Sequence, residues 1–550
     1  MKVIVNETIY EYKDNTTYYE ISKDFQKEYK NDILLVKTNG IVKELREVAQ
    51  SNDIIEFLTY SDDVGYDAYI KTTLLLFFKA INKIFASKHN VVSSLKFTQN
   101  KGYYISPNDN STYSQNDIDE ILAQVKDYID RKLVVNKLTV STNNALNLLN
   151  KYDTMDKELL IKFSLDSSQQ LYELSGYYGL SRGTYLYDTS YIKKYKVTPY
   201  GHGLFISFPN KHDFNTFRDF KVLPKVFKKQ IDSIQWLVDL KINSAGYLNE
   251  KIAKNQLDSV IILQEERHQQ KIGEIADLIN KSNKKLVFIA GPSSSGKTTF
   301  SYRLAYYLQT LGFNAHQLSV DNFFVDREYT KRDENGEYNF EHIDCVDIAT
   351  LNNNLRQLLK GESVELPKYD FILGKRYYDK DFLQLKEHDI LIIEGIHCLN
   401  DKLTSEIDAS DKFKICISPF TQISIDYENR IPTSDLRLIR RIVRDNTTRG
   451  FSAIDTIKMW PKVRKGEEDN IFPFQESADV LFNSSLSYEL SILKMYAEPL
   501  LFDIDKRSKE YPVAHRLLNY LKYFLVGNEY AIPKYSLIKE FTNDSVFKVK

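Results

Sequence analysis

Residues 291–298 read Gly-Pro-Ser-Ser-Ser-Gly-Lys-Thr, and no other segment restricts the fold of this chain so sharply. The spacing satisfies G-x-x-x-x-G-K-[ST] at every required position. Ahead of it, Lys285-Leu286-Val287-Phe288-Ile289-Ala290 is a short apolar run that reads as a buried strand. Behind it, Thr298 to Gln309 places Leu304, Tyr307 and Leu308 at helical spacing. The chemistry accounts for the residue types. Gly291 and Gly296 let the backbone curl so that its N–H groups face an anion, and the helix N-terminus adds a partial positive charge. Lys297 can reach the outer phosphates of a nucleotide, and the Thr298 hydroxyl can hold Mg²⁺. A ligand-free Ser/Gly turn is the alternative; the ordered sequence of strand, turn, Lys-Thr pair and helix counts against it.

At 550 residues the chain exceeds a single core and predicts three or four domains. Lys+Arg of 74 against Asp+Glu of 75 leaves none of the basic excess expected of a protein that coats nucleic acid. Cys345, Cys398 and Cys416 form no C-x-x-C pair, which excludes a zinc ribbon or disulfide framework and fits a reducing compartment. The first residues lack a signal-peptide core, and Leu74-Leu75-Leu76-Phe77-Phe78 is too short to span a bilayer. The expectation is a soluble cytoplasmic protein with no membrane partner.

Residues 1–60 read as small strands around one helix, with runs at Val3–Val5, Ile9–Tyr12, Ile33–Val36 and Ile54–Phe57 and a turn at Asn39-Gly40. Residues 61–215 mix helices and strands. Val134–Tyr152 reads as partly helical, and Leu171–Leu174 and Gly203–Phe208 as strands. Residues 216–283 read as a helical region closing on a linker at Lys281–Lys285. Residues 284–490 alternate strand and helix, the pattern of a parallel α/β sheet, and residues 491–550 read as a mostly helical extension.

Four segments after the glycine turn could complete a phosphoryl-transfer site. His316–Val320 is a strand ending at Asp321, where a carboxylate can act as general base or as a turn cap. Ile390–Ile393 ends at Glu394, a position suited to Mg²⁺. Arg437, Arg440, Arg441 and Arg444 share one helical face opposite Leu438, Ile439, Ile442 and Val443; Thr433 or Ser434 can cap this helix, Arg449 lies in its last turn and Gly450 follows. Such a stripe is usually a solvated face or a nucleic-acid patch, but behind a phosphate loop it reads as a mobile lid that brings guanidinium groups to phosphate. Phe340-Glu341-His342 and Pro367–Phe371 supply rings that could stack on a base or sugar, or simply pack.

These motifs, with Asn339–Asp344, Tyr369-Asp370-Phe371 and Arg440–Gly450, stand in the order found in uridine kinases, so this region resembles the phosphoribulokinase/uridine kinase family over about 200 residues. The resemblance implies a P-loop NTPase domain with a parallel sheet, ATP and Mg²⁺ as cofactors, and phosphorylation of a primary hydroxyl on a small nucleoside-type acceptor. It implies nucleotide contacts from Gly291, Ser293, Ser294, Ser295, Gly296, Lys297, Thr298 and Thr299, and magnesium at Thr298 and Glu394. Catalytic roles would fall to Asp321, Lys297, Arg444 and Arg449, and acceptor contacts to Phe340, Glu341, His342, Tyr369, Phe371, Arg376 and Arg441. Many such kinases are homo-oligomers. Three positions depart from the uridine kinase pattern: Glu341 in place of Asp, Gly374 in place of His and Phe451 in place of Arg. All three fall at the acceptor pocket, so ATP chemistry carries over further than uridine does.

The amino-terminal residues, with Thr38-Asn39-Gly40 and Ile54–Phe57, resemble the β-grasp (TGS-like) module of threonyl-tRNA synthetases, and residues 61–215 are similar to the α+β second domain of those enzymes. That domain's H-x-x-x-H motif is missing, so neither a metal nor editing is expected there. The resemblance admits a second function, a nucleotide-binding regulator that acts on RNA or the ribosome through its amino-terminal region. A GTPase reading rests only on Asn210-Lys211-His212-Asp213, which matches N-K-x-D but precedes the phosphate loop.

Overall fold

The computed structural model describes residues 1–149, 155–181, 183–332, 336, 338 and 340–547. Asn339 and the end of the Val134–Tyr152 stretch therefore lie outside the described residues. The chain forms two compact units. One comprises Met1–Val222 with Ser244–Tyr247 and Ser424–Arg430; the other comprises Leu223–Asn243, Leu248–Ile423 and Ile431–Lys550.

The first unit begins with a five-stranded sheet. Its strands are Lys2–Val5, Thr8–Glu11, Ile33–Thr38, Ile41–Glu44 and Ile54–Thr59, in the order second, first, fifth, third, fourth, with the first and fifth parallel. Asn39 (φ 50°) and Gly40 (φ 83°) form the two-residue turn between the third and fourth strands. Ile41–Glu44 is a strand the sequence reading missed, since only its last residue is buried. Helix Tyr18–Phe25 starts with a capping box between Thr17 and Glu20 and buries Tyr18, Ile21 and Phe25 against Val3, Ile33 and Phe57.

Further along, helix Asp63–Ile81 is buried on nearly every side, and Leu74–Phe78 forms part of its core-facing surface. A three-stranded sheet (Val135–Ser141, Ser168–Leu174, Tyr177–Leu180) and a four-stranded sheet (Ser93–Gln99, Gly102–Pro107, Lys196–Tyr200, Gly203–Ser207) complete the unit's larger elements. Within the partly helical stretch Val134–Tyr152 the helix is Thr142–Leu149. Before it, Val135–Ser141 pairs antiparallel with Ser168–Leu174, and this pairing outweighs the weak helical pattern. The N-K-x-D residues form a small hairpin. Asn210 bonds to Thr216 and Arg218, and Lys211 pairs with Asp63.

The second unit is built on a five-stranded, wholly parallel sheet in the order Asn314–Ser319, Asp389–Glu394, Leu286–Ala290, Lys412–Ser418, Val480–Asn483. The central strand Leu286–Ala290 is entirely inaccessible to solvent. This explains its unbroken run of apolar residues. In register, Ser319 pairs with Glu394 and Glu394 with Ile289, so the candidate base, the candidate metal carboxylate and the glycine turn leave one edge of the sheet together.

The preceding helix Leu257–Ser282 ends at Asn283 (φ 54°). The expected linker is thus a helix end and a tight turn. The carboxyl-terminal 60 residues are less helical than expected. Helices Glu489–Phe502 and Tyr511–Leu521 are followed by turns and coil, with Gly527 and Pro533 among them, up to the short helix Lys539–Thr542. Among the described residues no helix is long and apolar enough to cross a membrane. All three cysteines are free and buried.

Candidate active site

The loop at 291–298 is held in shape by its own backbone demands. A side chain at Gly291 would place a Cβ 2.3 Å from the carbonyl oxygen of Ile417 on the neighbouring strand. Ser294 (φ 58°) and Gly296 (φ 85°) adopt left-handed conformations that turn successive N–H groups inward. Helix Lys297–Thr310 follows with no side-chain cap at its start, leaving first-turn donors for another acceptor. Leu304 and Leu308 are fully buried and anchor the helix, each contributing about 1.5–3 kcal/mol. Lys297 Nζ donates to Gly291 O at 2.9 Å, so the ammonium lies across the loop. The hydroxyls of Ser294, Ser295 and Thr299 are buried without a hydrogen-bond partner among the described residues. Orphaned donors around an inward-turned backbone fit a nucleotide's phosphates.

Two carboxylates face this loop. Thr298 Oγ1 donates to Glu394 Oε2 at 3.5 Å. Burial pushes Glu394 up to about 7; Asp321 and Glu540 raise it further, while Lys297 opposes the shift. Hydroxyl and carboxylate form the hard oxygen pair that Mg²⁺ takes alongside water and phosphate oxygens. Asp321 follows the strand in a short turn, and its backbone N–H is capped by Ser319 Oγ at 3.3 Å. Its carboxylate makes no hydrogen bond among the described residues and is half-buried. Burial raises its pKa, and Lys297 and Arg449 pull it back.

The arginine helix, Thr433–Arg449, differs from the mobile lid that its stripe suggested. Pro432 occupies the cap position with no side-chain cap, and Gly450 (φ 70°) ends the helix as read. Arg437, Arg440 and Arg444 are 1%, 0% and 8% exposed, so they do not form an open lid face. Each has a carboxylate partner. Arg437 grips Glu467 through both Nη atoms, Arg440 Nε bonds Glu489 at 2.6 Å, and Arg444 Nη2 bonds Asp445 at 2.9 Å. Arg437 and Arg440 also donate to the carbonyls of Ser293 and Ser294, each at 3.2 Å, and so brace the phosphate loop from behind. Arg441 reaches the loop face, donating to Ser293 Oγ at 2.7 Å. Arg449, at the exposed end, pairs with Asp445 at 3.4 Å.

The residues expected at an acceptor form a cluster of side chains. Phe324 stands at its centre, with ring centroids of Phe340, Tyr369 and Phe371 at 6.2, 5.6 and 6.3 Å. Glu341 lies beside Arg441 and Glu467; burial first, then Glu467, pushes it up to about 7. His342 is exposed and caps a turn through Nδ1, accepting from Asp344 N at 3.2 Å. Arg376 pairs with Asp347 at 2.8 Å. Gly374, the departure from His, has φ 68°, and a Cβ there would lie 2.7 Å from Arg327 Nε. Phe451, the departure from Arg, is 42% exposed.

Sequence reasoning missed Phe324 as the hub of the rings, Glu467 as the loop's acid partner and Glu540 altogether. Phe324 could have been found from its place beside Asp321. Glu467 sits in a charged helical stretch with no distinguishing spacing.

A parallel sheet with a glycine loop between its central strand and a helix, a basic residue on the loop and carboxylates at the strand ends defines a P-loop kinase fold. The sequence profile of the phosphoribulokinase / uridine kinase family matches residues 286–490. Uridine kinases of Staphylococcus aureus, strains JH9 and Newman, are each 30% identical over 208 residues, covering 38% of this chain and 91% of the relative. The chain belongs to the phosphoribulokinase/uridine kinase family. Among solved structures, a possible uridine kinase from Bacillus stearothermophilus is 20% identical, covering 40% of this chain and all of that one, with a TM-score of 0.28. A D-glycerate 3-kinase from Cryptococcus neoformans var. grubii is 15% identical, covering 51% and 91%, with a TM-score of 0.22.

Proposed function

We propose that the protein is an ATP-dependent kinase that transfers the γ-phosphoryl group to a primary hydroxyl of a nucleoside-like acceptor. The observation that carries this reading is the convergence of the loop, Thr298, Glu394 and Asp321 on one sheet edge. The loop N–H groups with Ser293, Ser294, Ser295 and Thr299 bind the nucleotide's phosphates. Thr298 and Glu394 would hold Mg²⁺, which would supply charge neutralisation on the phosphate oxygens. Asp321 accepts the acceptor's hydroxyl proton; its raised pKa gives it a useful proton affinity. Lys297, swinging from Gly291 O, and Arg441 and Arg449 stabilise negative charge on the transferring group, each contact being worth about 3 kcal/mol. Arg444 is buried and holds Asp445 through two nitrogens, so its part is to hold the helix rather than to touch phosphate.

The acceptor lies among Phe340, Tyr369 and Phe371, with Glu341 as the hydrogen-bonding group, while His342 and Arg376 frame the turns. For residues 1–60 we propose a β-grasp relationship to synthetase modules; the strand order with parallel first and fifth strands supports it. RNA contact by that region and homo-oligomer formation belong to the same proposal. The test is a phosphorylation screen with Mg·ATP over uridine, cytidine, other nucleosides, ribulose 5-phosphate and pantothenate. Label on a pyrimidine nucleoside is the expected result. Label on none would transfer the weight to the regulatory reading, which a salt-dependent tRNA or rRNA binding assay then tests.

A further inference from the structure

The carboxyl-terminal segment Ser536–Thr542 lies on the phosphate loop. It follows the family-matched region 286–490. Leu537, fully buried, packs against Gly296 so closely that a Cβ on that glycine would meet Leu537 Cδ2 at 2.9 Å. Phe541 is buried beneath the Arg440 guanidinium, 4.9 Å from the ring centroid. Thr447 Oγ1, on the arginine helix, donates to Phe541 O at 3.4 Å. Between these anchors Glu540 turns inward, and its Oε2 accepts from Thr299 N at 3.1 Å. Thr299 stands in the first turn of the phosphate-loop helix, among the N–H donors an anion would use.

A second loop donor, Ser293 N, is taken by Glu467 Oε1 at 2.9 Å, but the two acids differ. Glu467 is neutralised by Arg437 and Arg464 and belongs to the loop's scaffold. Glu540 is 6% exposed and has no ion-pair partner within 4 Å among the described residues. Its neighbour Lys539 faces away, to Glu529 and Asp544. A buried carboxylate held by a backbone N–H at a helix N-terminus is the arrangement of a bound anion. It also lies within electrostatic reach of Glu394 and Arg449.

We propose that Glu540 is a built-in competitor for the nucleotide's phosphates, and that the segment Ser536–Thr542 is a strap that must withdraw Glu540 from Thr299 N when ATP binds. This rests on the nucleotide-binding reading of the loop. Two like charges cannot share one donor, so the apparent affinity is lowered by the fraction of molecules in which the strap is open. Because the strap is tied to the arginine helix through Thr447 and Arg440, its release also frees the end that carries Arg449.

The test combines calorimetric titration of Mg·ATP into the full-length protein and its Glu540→Gln variant with hydrogen exchange of residues 536–547. Glutamine keeps the size and an acceptor oxygen but removes the charge. The expected result is about tenfold tighter ATP binding by the variant, as for a strap open about a tenth of the time, and faster exchange in 536–547 of the wild type once ATP is added. Equal affinities with unchanged or slower exchange would overturn the strap. If neither protein binds ATP while both melt cooperatively, the nucleotide-binding reading itself falls, and the strap with it. The exchange measurement needs no variant, so a Glu540→Gln protein that failed to fold would still leave the proposal testable.

Discussion

The two ends of the candidate site are made differently. The nucleotide end is made by backbone: a glycine that admits no Cβ beside Ile417 O, two left-handed residues and a helix start without a cap. The end proposed to take the acceptor is made by side chains: three rings around Phe324, the Glu341–Glu467–Arg441 cluster and a hairpin closed at Gly374. Backbone geometry tolerates few residue types, so this end keeps a recognisable spelling. A side-chain pocket can be rebuilt from many residues, and two of the three departures from the uridine kinase pattern, Glu341 and Gly374, fall there, while Phe451 follows the arginine helix.

The largest effect should come where the two ends meet. Asp321→Asn should lower phosphoryl transfer by about three orders of magnitude, within the range general-base loss spans, while Mg·ATP binding measured by calorimetry stays within twofold. Parallel loss of binding would mean that Asp321 belongs to the nucleotide end. Next, Arg437→Met leaves Glu467 buried with one partner fewer and removes a brace from Ser293 O. A destabilisation of about 3–5 kcal/mol is expected, read as a lower thermal midpoint and weaker ATP binding together. A variant as stable as wild type would show that the buried arginines do not support the loop.

Gly374→His restores the residue usual in uridine kinases but places it at φ 68° against Arg327. It should cost about 1–2 kcal/mol from the backbone conformation alone and should not improve use of uridine. Improved uridine turnover would show that the acceptor end keeps the ancestral geometry. The mildest effect concerns pH. Glu341 and Glu394 are both raised to about 7, so the native protein keeps protons that unfolded carboxyls release near 4.5. Stability without a divalent ion should therefore fall as pH rises from about 4.5 to about 7. Transfer, which needs Glu394 and Asp321 ionised, should rise through the same upper limit. Glu341→Gln removes one raised acid and should flatten the stability slope over this window without abolishing transfer; an unchanged slope would mean that Glu341 is not protonated there.

What the sequence made legible follows the same division. The strand Leu286–Ala290, the loop and its helix could be read because period, glycine spacing and the Lys-Thr pair agree. Asp321 and Glu394 could be placed from the strands they end. The arginine stripe was recognised, but its burial was not: periodicity reports a face, and cannot reveal that Glu467 and Glu489 come in from other helices to cover it while Asp445 pairs with Arg444 within the helix. Glu540 carried no signal, since a single acid in a turn-rich tail gains meaning only from the N–H it meets 241 residues away.

The central claim is that this loop and this aspartate together phosphorylate an alcohol. Phosphorus NMR of the products formed from Mg·ATP and the acceptor panel tests it most directly. The expected products are ADP and a new phosphomonoester whose phosphorus couples to two methylene protons, absent with Asp321→Asn. ATP left intact, or converted only to ADP and inorganic phosphate with every acceptor, would contradict it.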